Sequence, residues 1–282
     1  MGQELLNRGV IPHGTIWGAT ALLHKKYHKL LVKTHLDFIN AGAEVIVTNS
    51  FGSRKRRLIE NKLGHKFNEL NKLAGKLARE AVKKSRKNVL IAGSLPPQNF
   101  TYFADLGKDL KFIKSSFKAQ AKCLCPYIDF FYLDVMSSLK ECQIAINSIK
   151  SFKKEFLLGI HIRKGGKLPS GEKFLTVIRK LEKYKPIGII VSCVSIEDVA
   201  EVFKDLKKIK LPFGFKINAF EHIPAGWKPD SNNPKVQLGK RDDLTPIKFA
   251  NTCIKFNKMG ANIIGGCCEI TPSHIKKLKT LI

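Results

Sequence analysis

Short apolar runs of strand length alternate along the chain with longer stretches of helical period. The runs are continuous, as in Val89–Gly93 and Gly188–Ser192, which is typical of strands that are covered on both faces. Strict alternation of strands and helices predicts a parallel α/β sheet with right-handed crossovers, either a barrel or an open doubly wound sheet. The predicted strands are Glu44–Asn49, Val89–Ser94, Asp129–Asp134, Phe156–Ile162, Ile187–Cys193, Phe213–Asn218 and Asn262–Gly266.

No linker, internal repeat or low-complexity tract divides the chain, so we expect a single domain over residues 1–282. Its one long irregular stretch is Ala219–Asp243, which in a barrel would lie at the carboxyl ends of the strands, where active sites are found. The predicted helices are Lys29–Ala41, Arg57–Lys84, Lys108–Cys125, Leu139–Lys153, Glu172–Tyr184, Ile196–Lys208, Pro246–Met259 and Thr271–Leu281.

Composition favours a soluble cytoplasmic protein with reduced thiols. No stretch approaches the roughly 18 uninterrupted apolar residues of a membrane span, and residues 1–8 lack the apolar region of a signal peptide. Seven cysteines, an odd number, argue against a disulfide framework. The net charge of +27 is spread along the whole chain, and only nine of its 50 basic residues are arginine. We therefore expect a solvated lysine-rich surface and no specific nucleic-acid partner.

Two adjacent cysteines, Cys267 and Cys268, follow Gly265 and Gly266 at the end of a strand-like run. Neighbouring cysteines rarely reach disulfide geometry, but they are good ligands for a soft metal. Cys193 also ends a predicted strand, so in a barrel it would lie on the same rim. Three thiolates would leave the fourth tetrahedral position of Zn²⁺ open for a substrate. The alternative is that Cys193 packs as a small buried hydrophobe. Packing is also the interpretation for the four cysteines on predicted helices, Cys123, Cys125, Cys142 and Cys253.

Three segments of the sequence are distinctive: Ile263–Cys268 with Thr271, Pro272, His274 and Ile275 behind it, Ala41–Phe51 and Ala92–Pro97. With these segments in this order, nearly the whole sequence resembles the homocysteine S-methyltransferase family, and the first segment is the most specific. The resemblance implies a (β/α)8 TIM-type barrel that binds Zn²⁺ through Cys193, Cys267 and Cys268.

The resemblance also implies four substrate-binding residues. The family's Glu-Thr pair, whose carboxylate holds the amino group of homocysteine, corresponds here to Asp134 and Val135, so the carboxylate is one methylene shorter. Asn218 matches an asparagine that lies beside the metal in relatives. Thr48 and Asn49 match a rim segment that faces the substrate, although such strand-end residues often cap the next helix instead.

The first strand of the family's barrel, with an aspartate that helps to hold homocysteine, has no counterpart in this sequence, which begins inside the following motif with Met1–Leu5. Two explanations are open: a start assigned too late, at an internal methionine, or a true short form. We favour the first, because a gap in a parallel barrel exposes two strand edges.

The expected function is transfer of a methyl group from a small onium-type donor to the thiol of homocysteine, giving methionine. The substrate thiolate on zinc is the nucleophile, so no separate protein base is assigned, and Trp227 in the Ala219–Asp243 loop would help to close the donor side. The expected partners are thus a small thiol acceptor and a methyl donor, and a homo-oligomer is compatible with the fold. The alternative is a non-catalytic zinc- or thiol-binding barrel that is degenerate at its substrate end.

Overall fold

A parallel sheet of seven strands forms the centre of the protein, as the alternation predicts. The computed structural model describes residues 1–229 and 233–282. Each strand pairs in parallel with the next one in chain order. The strands are β1 (Val45–Val47), β2 (Leu90–Leu95), β3 (Phe130–Met136), β4 (Phe156–Ile160), β5 (Gly188–Val194), β6 (Phe213–Ile217) and β7 (Ile263–Gly266).

Helices connect successive strands, so the predicted alternation is confirmed. Within residues 1–229 and 233–282, no helix is long and apolar enough to cross a membrane. The α-helices are α1 (Gly2–Asn7), α2 (Thr20–Leu23), α3 (His28–Asn40), α4 (Lys55–Glu60), α5 (Phe67–Ser85), α6 (Leu110–Leu124), α7 (Leu139–Ile149), α8 (Phe174–Leu181), α9 (Ile196–Leu206), α10 (Pro234–Leu238), α11 (Pro246–Lys258) and α12 (Pro272–Leu281).

The predicted helix Arg57–Lys84 is wrong in one respect, since it is interrupted between α4 and α5. The side-chain amide of Asn61 donates a hydrogen bond of 2.7 Å to the carbonyl of Arg57. Lys62 then takes a left-handed conformation with φ 59°. A side chain that bonds the last carbonyls and a left-handed residue after it are both typical helix ends.

The sheet buries two apolar layers. Every residue of β3 and of β5 is buried, which explains why these strands lack an alternating pattern. The helices cover one face with the larger part of the core. The smaller inner layer is formed by Ala92, Phe130, Tyr132, Leu157 and Ile190.

The edge strands β1 and β7 do not pair with each other among the described residues, so the seven strands expected of this chain form an open sheet and not a complete (β/α)8 barrel. Val45 on the β1 edge is 42% exposed. A cavity of about 740 Å³ runs along the inner face of the sheet and reaches residues of both edge strands. The fold is therefore a seven-stranded parallel sheet of TIM type, whose open side leads into this cavity.

The predicted irregular loop Ala219–Asp243 contains a short helix, α10, whose first turn is capped by the Asn233 side chain. Residues 230–232 of the loop lie outside the described residues. The backbone N–H of Arg241 donates to the carbonyl of Ala219 at 2.9 Å, so the loop leaves and returns at the same place. It follows β6 and lies at the carboxyl ends of the strands, as expected.

Candidate metal centre

Three cysteine thiols meet at the carboxyl ends of β5 and β7. The sulfurs of Cys193, Cys267 and Cys268 all lie within 4.8 Å of one another, and those of Cys193 and Cys268 are 3.8 Å apart. Cys193 is buried and the other two are half-buried. The structure therefore brings together the three thiols that the sequence singled out.

A bulge in β5 turns Cys193 toward the other two thiols. The pairing of β5 with β6 shifts register between Ser192 and Val194, and Cys193 between them has φ 57°. Regular alternation would send Ser192 and Cys193 to opposite faces of the sheet. Because the bulge adds a residue, Ser192 contacts the inner Tyr132 and Asp134 while Cys193 also lines the cavity.

The glycine pair before the adjacent cysteines has a steric role. A Cβ atom on Gly266 would lie 2.2 Å from Cγ2 of Ile270, so only glycine fits where the chain turns back after β7. The N–H of Ile270 donates to the carbonyl of Cys267 in this turn. The backbone N–H of Cys267 also donates to Ile217 of β6 at 2.7 Å. The two thiols are thus held by both the turn and the sheet.

Three polar side chains surround Cys193. The hydroxyl of Tyr102 lies 3.2 Å from its sulfur, and the side-chain nitrogen of Asn218 lies 3.9 Å from it. The His161 ring packs on Tyr102 with centroids 4.5 Å apart, and its Nδ1 donates to the carbonyl of Ser192 at 3.2 Å. Burial lowers the pKa of His161 to about 4, so the ring is neutral at pH 7.

Tyr102 and His161 were missed by the sequence reasoning. His161 directly follows β4, and Tyr102 lies further along the loop that follows β2. Polar residues just beyond the carboxyl ends of parallel strands are the signal that could have found them.

The three thiols share their charge unequally. Hydrogen bonds from Cys193 and Cys268 lower the pKa of Cys267 well below its ordinary value, and nearby Lys216 acts in the same direction. Contact with Cys267 raises the pKa of Cys193, and contacts with Cys193 and then with Cys267 raise the pKa of Cys268. Cys267 is therefore the first thiol of the cluster to lose its proton, and a bound cation would favour deprotonation of Cys193 and Cys268.

The cluster fits a soft metal ion. Sulfurs bonded to one tetrahedral ion at about 2.3 Å lie about 3.8 Å apart, which is the separation of Cys193 and Cys268. Three buried or half-buried sulfurs without a carboxylate among them suit a thiophilic ion rather than Mg²⁺ or Ca²⁺. A fourth position would remain open toward the cavity, because all three cysteines line it.

Asp134 lies in the same cavity, below the thiols on the inner face of β3. Its carboxylate accepts a hydrogen bond of 3.0 Å from the hydroxyl of Ser94 and lies 3.5 Å from that of Ser192. The ammonium of Lys216 is 3.6 Å away. Burial raises the pKa of Asp134, and Lys216 opposes this shift.

The other predicted substrate residues have protein partners. Thr48 contacts the Ser50 hydroxyl at 2.8 Å and accepts from the N–H of Ser94 at 3.0 Å, while Asn49 donates to the carbonyl of Gly18 at 2.9 Å. Both still line the cavity. Asn218 accepts from the N–H of Phe220 at 2.9 Å, which directs its amide nitrogen toward Cys193. These hydrogen bonds fix the conformation of the segments at the rim of the cavity. A contact between these side chains and a substrate would be formed in addition to them.

Aromatic rings form a wall of the cavity near the thiols. Trp227 stacks on Trp17 with centroids 6.1 Å apart and lies 6.0 Å from Tyr102. The guanidinium of Arg57 lies over the Trp17 ring at 4.7 Å. Arg57 thus covers a face of Trp17, whereas Trp227 and Tyr102 line the cavity and pack near the three thiols.

The remaining cysteines lie apart from this cluster. Among the residues that the structure describes, no other group of histidine, cysteine and acidic side chains could hold a metal. Cys123, Cys142 and Cys253 are buried on helices, and Cys125 begins a short 3-10 turn after α6. Their surroundings are those of packing residues.

Comparison with known proteins gives the family. The family model described as homocysteine S-methyltransferase matches residues 1–282. Homocysteine S-methyltransferase 2 of Saccharomyces cerevisiae is 23% identical, with 100% of this chain and 91% of that protein covered. The homocysteine S-methyltransferase of Escherichia coli is 25% identical, with 99% and 92% covered.

A solved structure shares the fold. The metallated form of the homocysteine methyltransferase MmuM from Escherichia coli superimposes with a TM-score of 0.81 at 19% identity, covering 100% of this chain and 94% of that one. The match of the family model to the whole chain confirms the resemblance found in the sequence motifs. The chain belongs to the homocysteine S-methyltransferase family.

Proposed function

We propose that this protein is a zinc-dependent methyltransferase that moves a methyl group from a small onium-type donor to the thiol of homocysteine, giving methionine. The observation that carries the proposal is the cluster of three thiols within 4.8 Å, which opens on a cavity with a carboxylate and an aromatic wall. The names of the relatives and of the family support methyl transfer to homocysteine.

Zinc is the proposed metal because all three donors are thiols. Cys193, Cys267 and Cys268 would hold it, and Tyr102 and Asn218 would orient the sulfur of Cys193 by the contacts described above. When bound, the ion supplies stabilisation of the substrate's thiolate near neutral pH. The pKa of Tyr102 is raised by burial, so its hydroxyl stays protonated and donates to the Cys193 sulfur.

Asp134 would hold the ammonium of homocysteine. It is buried in the cavity and is held by the hydroxyls of Ser94 and Ser192. Anchoring the amino-acid end fixes the direction of the sulfur, and proximity of that sulfur to the donor supplies much of the rate. The proton of the thiol leaves to solvent through the open cavity, so no protein base is required.

Trp227 and Tyr102 would face the donor. A methylsulfonium or quaternary ammonium group is attracted to the face of an aromatic ring within about 6 Å of its centre. Such a donor carries its positive charge on the atom that loses the methyl group, so the rings hold the reacting end next to the thiols.

One observation favours a second candidate, a non-catalytic zinc- or thiol-binding barrel. Asp134 has Lys216 at 3.6 Å, which neutralises the carboxylate that the substrate ammonium would need. Its side chain is also one methylene shorter than the family's glutamate.

Turnover separates the two candidates, and metal content shows whether the three cysteines hold the zinc. Zinc-loaded protein is incubated with homocysteine and a panel of methylsulfonium donors and betaine, and methionine is measured by mass spectrometry. We expect methionine from the wild type, and loss of both methionine and stoichiometric zinc in Cys193→Ser. Cys125→Ser, a cysteine at the other end of the sheet, is the matched control and keeps both. If the zinc-loaded wild type forms no methionine with any donor, the methyltransferase proposal is refuted. The non-catalytic zinc- or thiol-binding barrel is then the remaining candidate.

A further inference from the structure

Lys216 places a positive charge inside the sheet, next to Asp134. It lies on β6 opposite Gly265 of β7, and its side chain is 16% exposed. A Cβ atom on Gly265 would meet Cγ of Lys216 at 3.3 Å, so the lysine stem lies across the glycine. Its ammonium lies 4.6 Å from the centre of the Tyr132 ring and 3.6 Å from Asp134.

The charge of Lys216 is firmly held. Burial acts to lower its pKa, but Asp134, Tyr132 and the thiols of Cys267 and Cys193 outweigh it, so the pKa is raised. The ion pair with Asp134 is nevertheless long, and serines occupy the other sites on the carboxylate. Both groups line the cavity and remain open to a ligand that carries opposite charges.

The position of the pair matches the length of an amino-acid thiol. Gly265 of β7 is level with Lys216 and lies two residues before Cys267, which directly follows the strand, so the two are roughly 7 Å apart along the chain direction. From the sulfur of homocysteine to its carboxylate carbon is about 5 Å when extended. A sulfur held at the thiol cluster would therefore bring the zwitterionic end of the molecule to Asp134 and Lys216.

We propose that Lys216 binds the carboxylate of the thiol substrate while Asp134 binds its ammonium, so that this pair selects zwitterionic amino-acid thiols over other thiols. The inference rests on the proposed function. It assigns the ion pair between Lys216 and Asp134, which also favours the non-catalytic candidate, to recognition of the substrate. In the complex, each protein charge gains a partner of opposite sign, and neither buried charge is left uncompensated.

Binding of thiols to the zinc-loaded protein tests the proposal without turnover. Isothermal titration compares homocysteine with 3-aminopropane-1-thiol, which lacks only the carboxylate, and with homocysteine methyl ester. A charge-assisted contact predicts that the wild type binds homocysteine about 10- to 100-fold more tightly than either analogue.

Variants identify the residue. In Lys216→Met we expect the preference to fall to about twofold, because the isosteric side chain cannot pair with a carboxylate. Lys216→Arg keeps a preference, and Lys210→Met, an exposed lysine just before β6, leaves it unchanged. Circular dichroism checks that each variant is folded.

Two outcomes would overturn the proposal. One is a wild type that does not distinguish homocysteine from its methyl ester, a result that needs no variant. The other is a folded Lys216→Met that weakens all thiols equally, which would mean that the lysine only compensates Asp134. If the protein prefers homocysteine over its analogues but forms no methionine, the role of Lys216 is retained and the methyltransferase proposal is refuted. If it forms methionine but shows no such preference, the methyltransferase proposal is retained and the role of Lys216 is refuted.

Discussion

Replacement of Gly266 by alanine should disrupt the metal centre through a clash with one residue. The added Cβ would lie 2.2 Å from Cγ2 and 2.5 Å from Cβ of Ile270, whereas carbon atoms in contact lie about 3.5–4.0 Å apart. The two segments must then separate by more than about 1 Å, at a cost of about 1–3 kcal/mol. Because the Cβ atom of residue 270 is itself in the clash, Ile270→Ala does not restore the fit.

This separation would move the turn that carries Cys267 and Cys268. Metal–ligand distances tolerate only about 0.2 Å, so we expect zinc affinity in Gly266→Ala to fall at least about tenfold. Competition with a chromogenic chelator measures the zinc affinity. Urea unfolding of the metal-free protein measures the free energy of unfolding, and thus the cost of the clash. The matched variant is Gly265→Ala, whose Cβ meets only the flexible Lys216 stem at 3.3 Å and should change zinc affinity by about twofold or less. Equal zinc affinity in the two variants would refute the steric reasoning.

Two further predictions concern the cavity wall and a buried carboxyl. Trp227→Ala should raise the KM for an onium donor about 2- to 30-fold, the range of one cation–π contact, with zinc content unchanged; an equal rise in the KM for homocysteine would contradict that role. Burial raises the pKa of Glu141 from 4.5 to about 8, so the folded state favours its protonated form, and this contribution to stability is lost as pH rises toward 8. Glu141→Gln should therefore gain stability relative to wild type between pH 6.5 and 8 in urea unfolding, a window that lies above the lowered pKa values of His35 and His161. A difference that stays constant over this window would show that the carboxyl does not titrate there.

The alternating pattern predicted the strands well because each inner strand is buried on both faces. All seven predicted strands are present, with ends that differ by a few residues. The helix over Arg57–Lys84 was predicted less well, since the side chain of Asn61 competes for backbone groups in a way that the apolar period does not show. The closure of the sheet could not be read from the pattern, because pairing between its first and last strands is a long-range property.

The polar layer of the cavity was harder to predict. Lys216 sits in an apolar run, and a lone lysine in a strand buried on both faces was the available signal. Without the sheet order, nothing shows that it meets Asp134 across the cavity. Tyr102 was hidden for the same reason, because its contact with Cys193 joins the loop after β2 to strand β5, and these segments are far apart in sequence.

The sequence by itself determined the family and the three candidate ligands, because the glycine–cysteine motif and the strand-end position of Cys193 are local patterns. Only the tertiary structure decided that the thiols converge. The bulge at Cys193 depends on the pairing of β5 with β6, and the turn after Gly266 depends on its fit against Ile270. The pairing of Lys216 with Asp134 was decided in the same way. A bulge, a register and an ion pair across a sheet arise from contacts between distant segments, so they are fixed only when those segments pack.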